Sequence, residues 1–324
     1  MNAVLASAGE HLSIKSSLEW VSELIAEGAN QELTEGEDRE PSVRVHVEAV
    51  RRPFATRGWE FFARGAWRRG GEVVIENACT AGFDLHLRCA GDRADFTYRW
   101  RPPARDRAAA HVLRSRFHLL ARATLLQYPA LWRAGLRRRA PLHASACVSA
   151  GSAAMLTAQS GVGRSTLVMH ELDAGGRATG DNLAVGDGTT LWGLIEPVRV
   201  KGGSGRRMPH GRHERSLPNR LTSVEPDCVV VIVRGDGQAP SLSRCGSQAA
   251  ANALVSSTYM AGELRRYWAF AAALAVGTGV GPVHPPVEPV ASEFTANLPC
   301  FSLGLGPVPG AYLFDLLANV QVAA

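Results

Sequence analysis

The chain has 324 residues, 46% of them hydrophobic, enough to fill one large domain or two unequal ones, which places it among globular proteins. Its formal net charge is +5, yet residues 1–40 hold nine acids (Glu10, Glu19, Glu23, Glu27, Glu32, Glu35, Glu37, Asp38, Glu40) against Lys15 and Arg39, a balance of −7 that leaves +12 on the rest. An arginine-rich positive body favours anionic ligands such as phosphorylated small molecules, acidic peptides or nucleic acid.

In residues 11–27, HLSIKSSLEWVSELIAE, the spacing of Ile14, Leu18, Val21 and Ile25, with Leu24 at the edge, predicts an amphipathic helix. The acidic, turn-rich stretch after it reads as a solvated linker, so 1–40 are expected to be helix and linker. From 43 to 100 the period changes to two: Val43, Val45 and Val47 alternate with Arg44, His46 and Glu48, and EVVIE, FDLHLRC and DFTYRW follow. That pattern predicts a small antiparallel sheet. Residues 105–139, dense in Ala, Leu and Arg, read as one or two helices ending at Arg137, Arg138 and Arg139, where positive charge suits a helix C-terminus. Residues 41–139 are thus expected to form an N-terminal α+β domain, and 140–324 a second domain.

The second domain opens on SAAMLT (152–157), an apolar run suited to a buried strand, followed by LTAQSGVGRSTL (156–167) and a helical stretch stopped by Gly175 and Gly176. Strand, glycine loop and helix N-terminus form the setting that a phosphate loop needs, because unpaired N–H groups and the helix dipole face the anion. Gly161 and Gly163 would let the backbone curl around phosphate oxygens, and Ser165 would present a hydroxyl to Mg²⁺. Arg164 keeps a positive charge where such loops carry Lys, but its planar guanidinium cannot occupy the same point. Ala158 adds a methyl where Gly is usual. Upstream stands His143 in PLHASACVSAG, downstream Asp181 in GGRATGDNLAV, each on a strand that would bring it toward the phosphate end, where an acid or base could meet a hydroxyl.

The stretch LHASACVSAGSAAMLTAQSGVGRSTL…GRATGDNLAV resembles the catalytic domain of HPr kinase/phosphorylase and its kinase-like relatives, in which a histidine, a G-x-S-G-x-G-K-S loop and a strand ending in paired aspartates follow in that order. The likeness covers roughly residues 141–200 well and the rest in outline. It implies an α/β fold: a P-loop-containing, HPr-kinase-like catalytic domain with a mixed sheet, preceded by the smaller α+β domain. It further implies that Ser160, Gly161, Val162, Gly163, Arg164, Ser165 and Thr166 cradle the phosphates of ATP or another nucleoside triphosphate, and that Ser165 binds Mg²⁺. Asp181 and His143 would handle the proton of the accepting hydroxyl, with Arg164 neutralising charge. Some relatives phosphorylate a serine of a ribosomally made peptide. This chain departs from the pattern at Ala158, at Arg164 and at Asn182, which replaces the second aspartate and can offer Mg²⁺ only an uncharged carbonyl. Asp187 lies in a glycine-flanked turn, and Glu196 is a further candidate Mg²⁺ ligand.

Residues 201–220 carry Lys201, Arg206, Arg207, Arg212, Arg215 and Arg220 with His210 and His213 among Gly and Pro. They read either as a solvated surface loop or as a lid closing positive charge over phosphates or an acidic peptide. Without interleaved aromatics, nucleic acid is not expected as a partner. DCVVVIVRG (227–235) reads as a buried strand, and the alanine-rich residues after 247 as core helices. His46, His86, His170 and His284 read as ordinary structural or surface histidines. The six cysteines (79, 89, 147, 228, 245, 300) show no C-x-x-C or zinc-type spacing and read as free thiols in a reducing compartment. The start lacks a basic-then-apolar leader, and WAFAAALAVGTGVG (268–281) is short of the ~20 residues of a membrane span. The expectation is a cytoplasmic, nucleoside-triphosphate-dependent phosphotransferase acting on a hydroxyl of a peptide or small molecule, without a membrane partner and with homo-oligomerisation left open. The competing reading is a catalytically degenerate kinase fold that binds a peptide or phosphorylated ligand.

Overall fold

The computed structural model describes residues 1–322 except 31, 37–39, 203, 204, 209, 210, 218, 236 and 238. The first sheet takes β1 (Asn2–Ser7), β2 (Glu10–Ser16), β3 (Thr34–Glu35), β4 (Val43–Glu48), β5 (Glu60–Ala63), β6 (Ala66–Arg69), β7 (Glu72–Ala78), β8 (Phe83–Ala90) and β9 (Arg93–Trp100), in the order β3-β1-β2-β4-β9-β8-β7-β6-β5. Helix α1 (Glu19–Gly28) lies between β2 and β3. After β9 come α2 (Ala104–Val112), α3 (Arg114–Arg122), a π-helical turn (Ala123–Gln127) and α4 (Tyr128–Leu136).

Two expectations for this half are corrected. The helix predicted over 11–27 begins only at Glu19, because 10–16 is a strand. Its residues alternate, with Leu12 and Ile14 fully buried and His11 and Lys15 exposed, and Ile14 pairs with Ala3 on one side and Val45 on the other. Two neighbouring strands and a period of two outweigh a helical spacing that began to hold only at Leu18. The sheet is also mixed rather than antiparallel, since β4 runs parallel to both β2 and β9.

Beyond residue 139 the strands are β10 (Ala140–Leu142), β11 (Ala144–Ser149), β12 (Ser152–Ala158), β13 (Arg177–Ala178), β14 (Ala184–Gly186), β15 (Leu191–Gly193), β16 (Val198–Lys201), β17 (Arg212–Arg215), β18 (Ser223–Val224), β19 (Cys228–Arg234), β20 (Ser241–Arg244) and β21 (Cys300–Leu305). The helices are α5 (Arg164–Asp173), α6 (Ser247–Met260), α7 (Tyr267–Thr278), α8 (Val287–Asn297) and α9 (Leu313–Val322), with a 3₁₀ turn at Gly262–Leu264. A six-stranded mixed sheet of order β13-β11-β12-β19-β21-β20 has parallel strands β12, β19 and β21 at its centre. β10-β14-β15-β18 form an antiparallel sheet and β16-β17 a hairpin. The fold is therefore mixed α/β, with several mixed and antiparallel sheets.

Sheets part near residue 140, but the core does not. One buried cluster joins Leu12, Val45, Phe96 and Trp132 of the first half to Leu194, Ile195, Tyr267 and Phe270 of the second. The acidic N-terminal stretch is likewise tied to the basic segment rather than freely solvated. Asn30 exchanges two hydrogen bonds with the backbone of Leu217 (2.7 and 2.9 Å), Glu32 pairs with the buried Arg220 (2.6 Å), and Glu27 pairs with Arg206 and with Arg122. Opposite charges 179 and 188 residues apart in sequence meet here, which removes part of the excess positive charge from ligand duty.

Among the described residues all six cysteines are free, and no helix is long and apolar enough to cross a membrane. His86 bonds Glu72 (2.7 Å) and His284 stacks on Trp268 with 8° between the rings, both structural placements.

Candidate functional site

β12 is buried from Ala153 to Ala158 because it lies between β11 and β19. Ala158 is simply its last residue, paired with Ile232, so the methyl group sits in a strand and not in a tight turn. The loop turns after it. Gly161 (φ 84°) and Gly163 (φ 125°) occupy left-handed backbone that favours glycine, and Val162 N–H donates to the Gln159 carbonyl (3.3 Å). Gln159, Ser160 and Gly161 are exposed, Val162, Gly163 and Ser165 half-buried, and Thr166 exposed. No side chain caps α5, so its first N–H groups remain available, as an anion site requires.

Arg164, the first residue of α5, is only 6% exposed. Its Nη1 donates to the carbonyl of His143 (2.6 Å), its Nε to that of Asp181 (3.1 Å) and its Nη2 to that of Asn182 (2.9 Å). All three nitrogens of the guanidinium thus hold main chain. Burial lowers its pKa to about 10, with Asp181, Glu196 and Glu263 acting in the opposite direction, so it remains a cation at neutral pH. Arg164 is a strut that fixes the chain at 143 and 181–182 beneath the loop, where the sequence reading expected it to neutralise phosphate.

The remaining residues singled out in sequence gather around that strut. Asp181 is 3% exposed, and burial raises its pKa against the opposing influences of Arg199, the Ser165 hydroxyl and Arg164. Glu196 is 7% exposed and its pKa is pushed up to about 7 by burial, although Arg199 (3.1 Å) and Gln127 (3.3 Å) both donate to Oε2. Burial, then the charge of Arg164, pushes the His143 imidazole down to about 3, so it is neutral under physiological conditions. Asp181 Oδ1, Glu196 Oε1, His143 Nδ1 and Asn182 Nδ2 are all buried without a hydrogen-bond partner. Four such atoms in one cluster leave bonding capacity that water or a ligand can complete.

Sequence reasoning missed Arg199 and Glu263, which complete the cluster through a 2.9 Å ion pair. Burial opposes the Glu263 carboxylate, yet Arg199, its own backbone and His143 outweigh it and hold its pKa below the ordinary value; Glu196, Glu263 and Asp181 raise that of Arg199 despite burial. Arg199 stands three residues after Glu196, a weak signal in a strand-like stretch, whereas Glu263 and Gln127 come from helical turns with no motif around them. Asp187 has a turn role, its Oδ1 accepting from Thr189 N–H (3.0 Å) and Thr190 N–H (2.8 Å). The basic segment does not form a free lid: Arg215 pairs with Asp173 (3.1 Å) and Arg206 and Arg220 with Glu27 and Glu32, while His210 lies outside the described residues.

A cavity of about 450 Å³ opens beside the loop at the carboxyl ends of β12, β19 and β21, where open α/β sheets bind ligands. Val162, Thr166, His170, Arg234, Pro307 and Tyr312 are among its walls. Glu171 of α5 fixes the far wall by accepting the N–H groups of Tyr312 and Leu313 (2.9 Å each) at the start of α9. The volume lies in the range of small-molecule sites.

The donors below the loop are hard oxygens of the kind Mg²⁺ prefers, and two of them, Asp181 Oδ1 and Glu196 Oε1, are orphaned. Among the described residues no group of three or more His, Cys, Asp or Glu is arranged to hold a metal ion. The donor set fits an ion that completes its shell with water and ligand phosphate, as Mg²⁺ does.

The Glu196 carboxyl makes stability depend on pH. Its folded pKa of about 7 lies above the ordinary 4.5, so the folded state retains a proton that the unfolded chain releases between those values. Its contribution is full below 4.5 and is lost as pH rises through about 7. Relative to the wild type, Glu196→Gln is expected to gain up to about 3 kcal/mol between pH ~4.5 and ~8, read from urea unfolding of both proteins. Parallel pH profiles would show that Glu196 titrates normally.

No protein-family model matches the chain, and no curated protein matches it.

Proposed function

We propose that the chain is a nucleoside-triphosphate-dependent phosphotransferase of the HPr kinase/phosphorylase-like kind, acting on a hydroxyl of a peptide or small molecule. The observation that supports this best is an uncapped helix N-terminus behind the Gly161–Gly163 loop, set over a buried Asp181 whose Oδ1 has no partner. The base of ATP or another nucleoside triphosphate enters the flanking cavity, and its phosphates lie against the amides of residues 160–166. The acceptor oxygen bonds to the γ-phosphorus as that atom's bond to the β,γ-bridging oxygen breaks, and the electron pair leaves with the diphosphate. The hydroxyl proton passes to Asp181, whose raised pKa suits a general base, with the neutral His143 sharing its handling. Mg²⁺, held by Ser165 and Glu196 Oε1 with Asn182 beside them, would supply charge neutralisation at the phosphates. Arg164 positions the main chain that carries His143 and Asp181.

One observation favours a second reading, a degenerate fold that binds a phosphorylated ligand or peptide without chemistry. Arg164 spends its fork on carbonyls, so no loop cation reaches the phosphates as a lysine would. Thermal unfolding with and without Mg²⁺ and each nucleoside triphosphate tests both. A ligand at ~100 times its Kd should add about 2.7 kcal/mol. The proposal expects a magnesium-dependent rise with at least one nucleotide, followed by transfer of its labelled γ-phosphate to an acceptor. A rise with no turnover supports the binding reading, and no rise with any nucleotide sinks the kinase.

A further inference from the structure

A second, larger cavity of about 850 Å³ is lined by residues of α2 and α3. It is separate from the loop: Phe117 in its wall and Gln127 beside Glu196 are ten positions apart on one continuous helical run, roughly 15 Å.

Its helical wall repeats at one-turn intervals. On α2, Arg107, Ala110 and His111 stand at i, i+3 and i+4; on α3, beyond the break at Leu113, Arg114, Phe117 and His118 repeat the same spacing. The opposite wall holds Trp20, Trp100, Arg51 and Arg101. Arg101 is neutralised by Asp84, whereas Arg51, Arg107 and Arg114 have no carboxylate partner among the described residues. None of the described lining residues is acidic. Three uncompensated guanidinium groups ringing an aromatic floor call for an anionic occupant with an apolar part.

Helix α2 adds an independent observation. Not one of its nine residues is buried, and Val112 and Leu113 at its end are 81% and 51% exposed. Its side-chain tie to the body is the bond from Asn77 Nδ2 to Asp106 Oδ2 (2.6 Å). Nine residues without a packed face are too few to hold a helix in water by propensity alone. A helix that stands over a cavity with no fully buried residue leaves a face that a partner could cover.

The floor decides what kind of occupant fits. Trp20, Trp100 and Phe117 lean on one another at centroid distances of 5.1, 5.4 and 6.0 Å. Packed this way they offer a fixed apolar surface, not free faces on which successive bases of a nucleic acid could stack. The cations come from three segments, Arg51 beyond β4, Arg107 on α2 and Arg114 on α3, while burial lowers the His118 pKa to about 4 and keeps it neutral; three separate guanidinium groups suit several carboxylates along one segment. We propose that the cavity beneath α2 is a docking site for an acidic peptide segment, which sets an apolar or aromatic side chain on the Trp20–Trp100–Phe117 floor and its carboxylates against Arg51, Arg107 and Arg114. This site does not rest on phosphotransfer at the loop.

The test uses the full chain and a fluorescein-labelled dodecapeptide of alternating Glu and Gly with one central Phe. Three comparison probes are its Glu→Gln counterpart, its Phe→Gly counterpart and a labelled oligouridylate. Saturable binding of the Glu peptide is expected, falling steeply with salt, at least tenfold weaker for the Gln peptide and weaker for the Gly peptide. Arg107→Glu combined with Arg114→Glu should abolish it. Both residues are exposed, so the fold should be retained, as unchanged circular dichroism would verify. Arg105→Glu combined with Arg116→Glu, the same charge change outside the lining, should weaken it less than threefold. The proposal is overturned by any of three results: no saturable binding at roughly millimolar peptide, equal loss in the two double variants, or tighter binding of the oligouridylate than of the peptide.

Discussion

Arg164→Ala is expected to destabilise the protein by about 3–5 kcal/mol, the range for removing one member of a buried charged cluster. The carbonyl oxygens of His143, Asp181 and Asn182 would each lose a charged donor at 2.6–3.1 Å, and Asp181, Glu196 and Glu263 would lose a cation that balances them. Arg164→Lys is the sharper experiment. An ammonium is a point charge on a flexible stem and cannot span three carbonyls that a planar fork reaches at once. The lysine variant should therefore lose about 1–3 kcal/mol through the carbonyls left unpaired, and it should show no faster phosphotransfer despite restoring the residue usual in such loops. Urea unfolding and a γ-phosphate transfer assay on the same preparations decide the matter. Unchanged stability with faster transfer would mean that Arg164 is a damaged lysine and no strut.

That expectation depends on a feature that no motif could announce. The strand, glycine loop and helix at 152–173 were legible because each carries a local signal: an apolar run, glycines at the turning points and a stop at Gly175. His143, Asp181, Asn182 and Glu196 were legible as candidates, and the fold brings them into one cluster. The direction of the Arg164 side chain was not legible, since it follows from the position of three carbonyls set by the strands that hold them. For the same reason Glu263 and Gln127 were invisible. They reach the cluster from helical turns 67 or more residues from Glu196, through packing that leaves no local spacing to read. In 11–27 the failure was of another kind. Two periodicities overlapped there, and the outcome was decided by neighbours, Ala3 and Val45, that lie outside the window.

Charge shows the same limit. The segment totals suggested a positive body open to anions, yet the fold ties two cations of the basic stretch after 200 to acids of the N-terminus, Arg206 to Glu27 and Arg220 to Glu32. Among the described arginines that the fold leaves without a carboxylate partner, Arg51, Arg107 and Arg114 share one cavity, and the helix dipole behind the glycine loop is a separate place for an anion. Net charge said that anions are favoured; only the three-dimensional pairing says where.

Asp181→Asn tests whether Asp181 is a catalytic base or a structural residue, because its expected effects on activity and on stability differ in size and in sign. Loss of a general base should lower the transfer rate by roughly 10²–10⁴-fold. Stability should not fall with it. Burial raises the Asp181 pKa above its ordinary 3.8, so the carboxyl stabilises the fold below that value and loses this contribution as pH rises through its folded pKa. An amide carries no charge to desolvate, keeps the shape and leaves the Asp181 carbonyl on Arg164, so at neutral pH the variant should be as stable as the wild type or more so. Its magnesium-dependent stabilisation by nucleotide should also persist, because the phosphates are held by loop amides. A structural residue would behave in the opposite way, losing stability and nucleotide binding together. Transfer within a few-fold of the wild type would remove Asp181 as the base. Glu196, with its pKa of about 7, would then be the carboxyl in the cluster best placed to accept a proton, and Glu196→Gln would become the deciding variant.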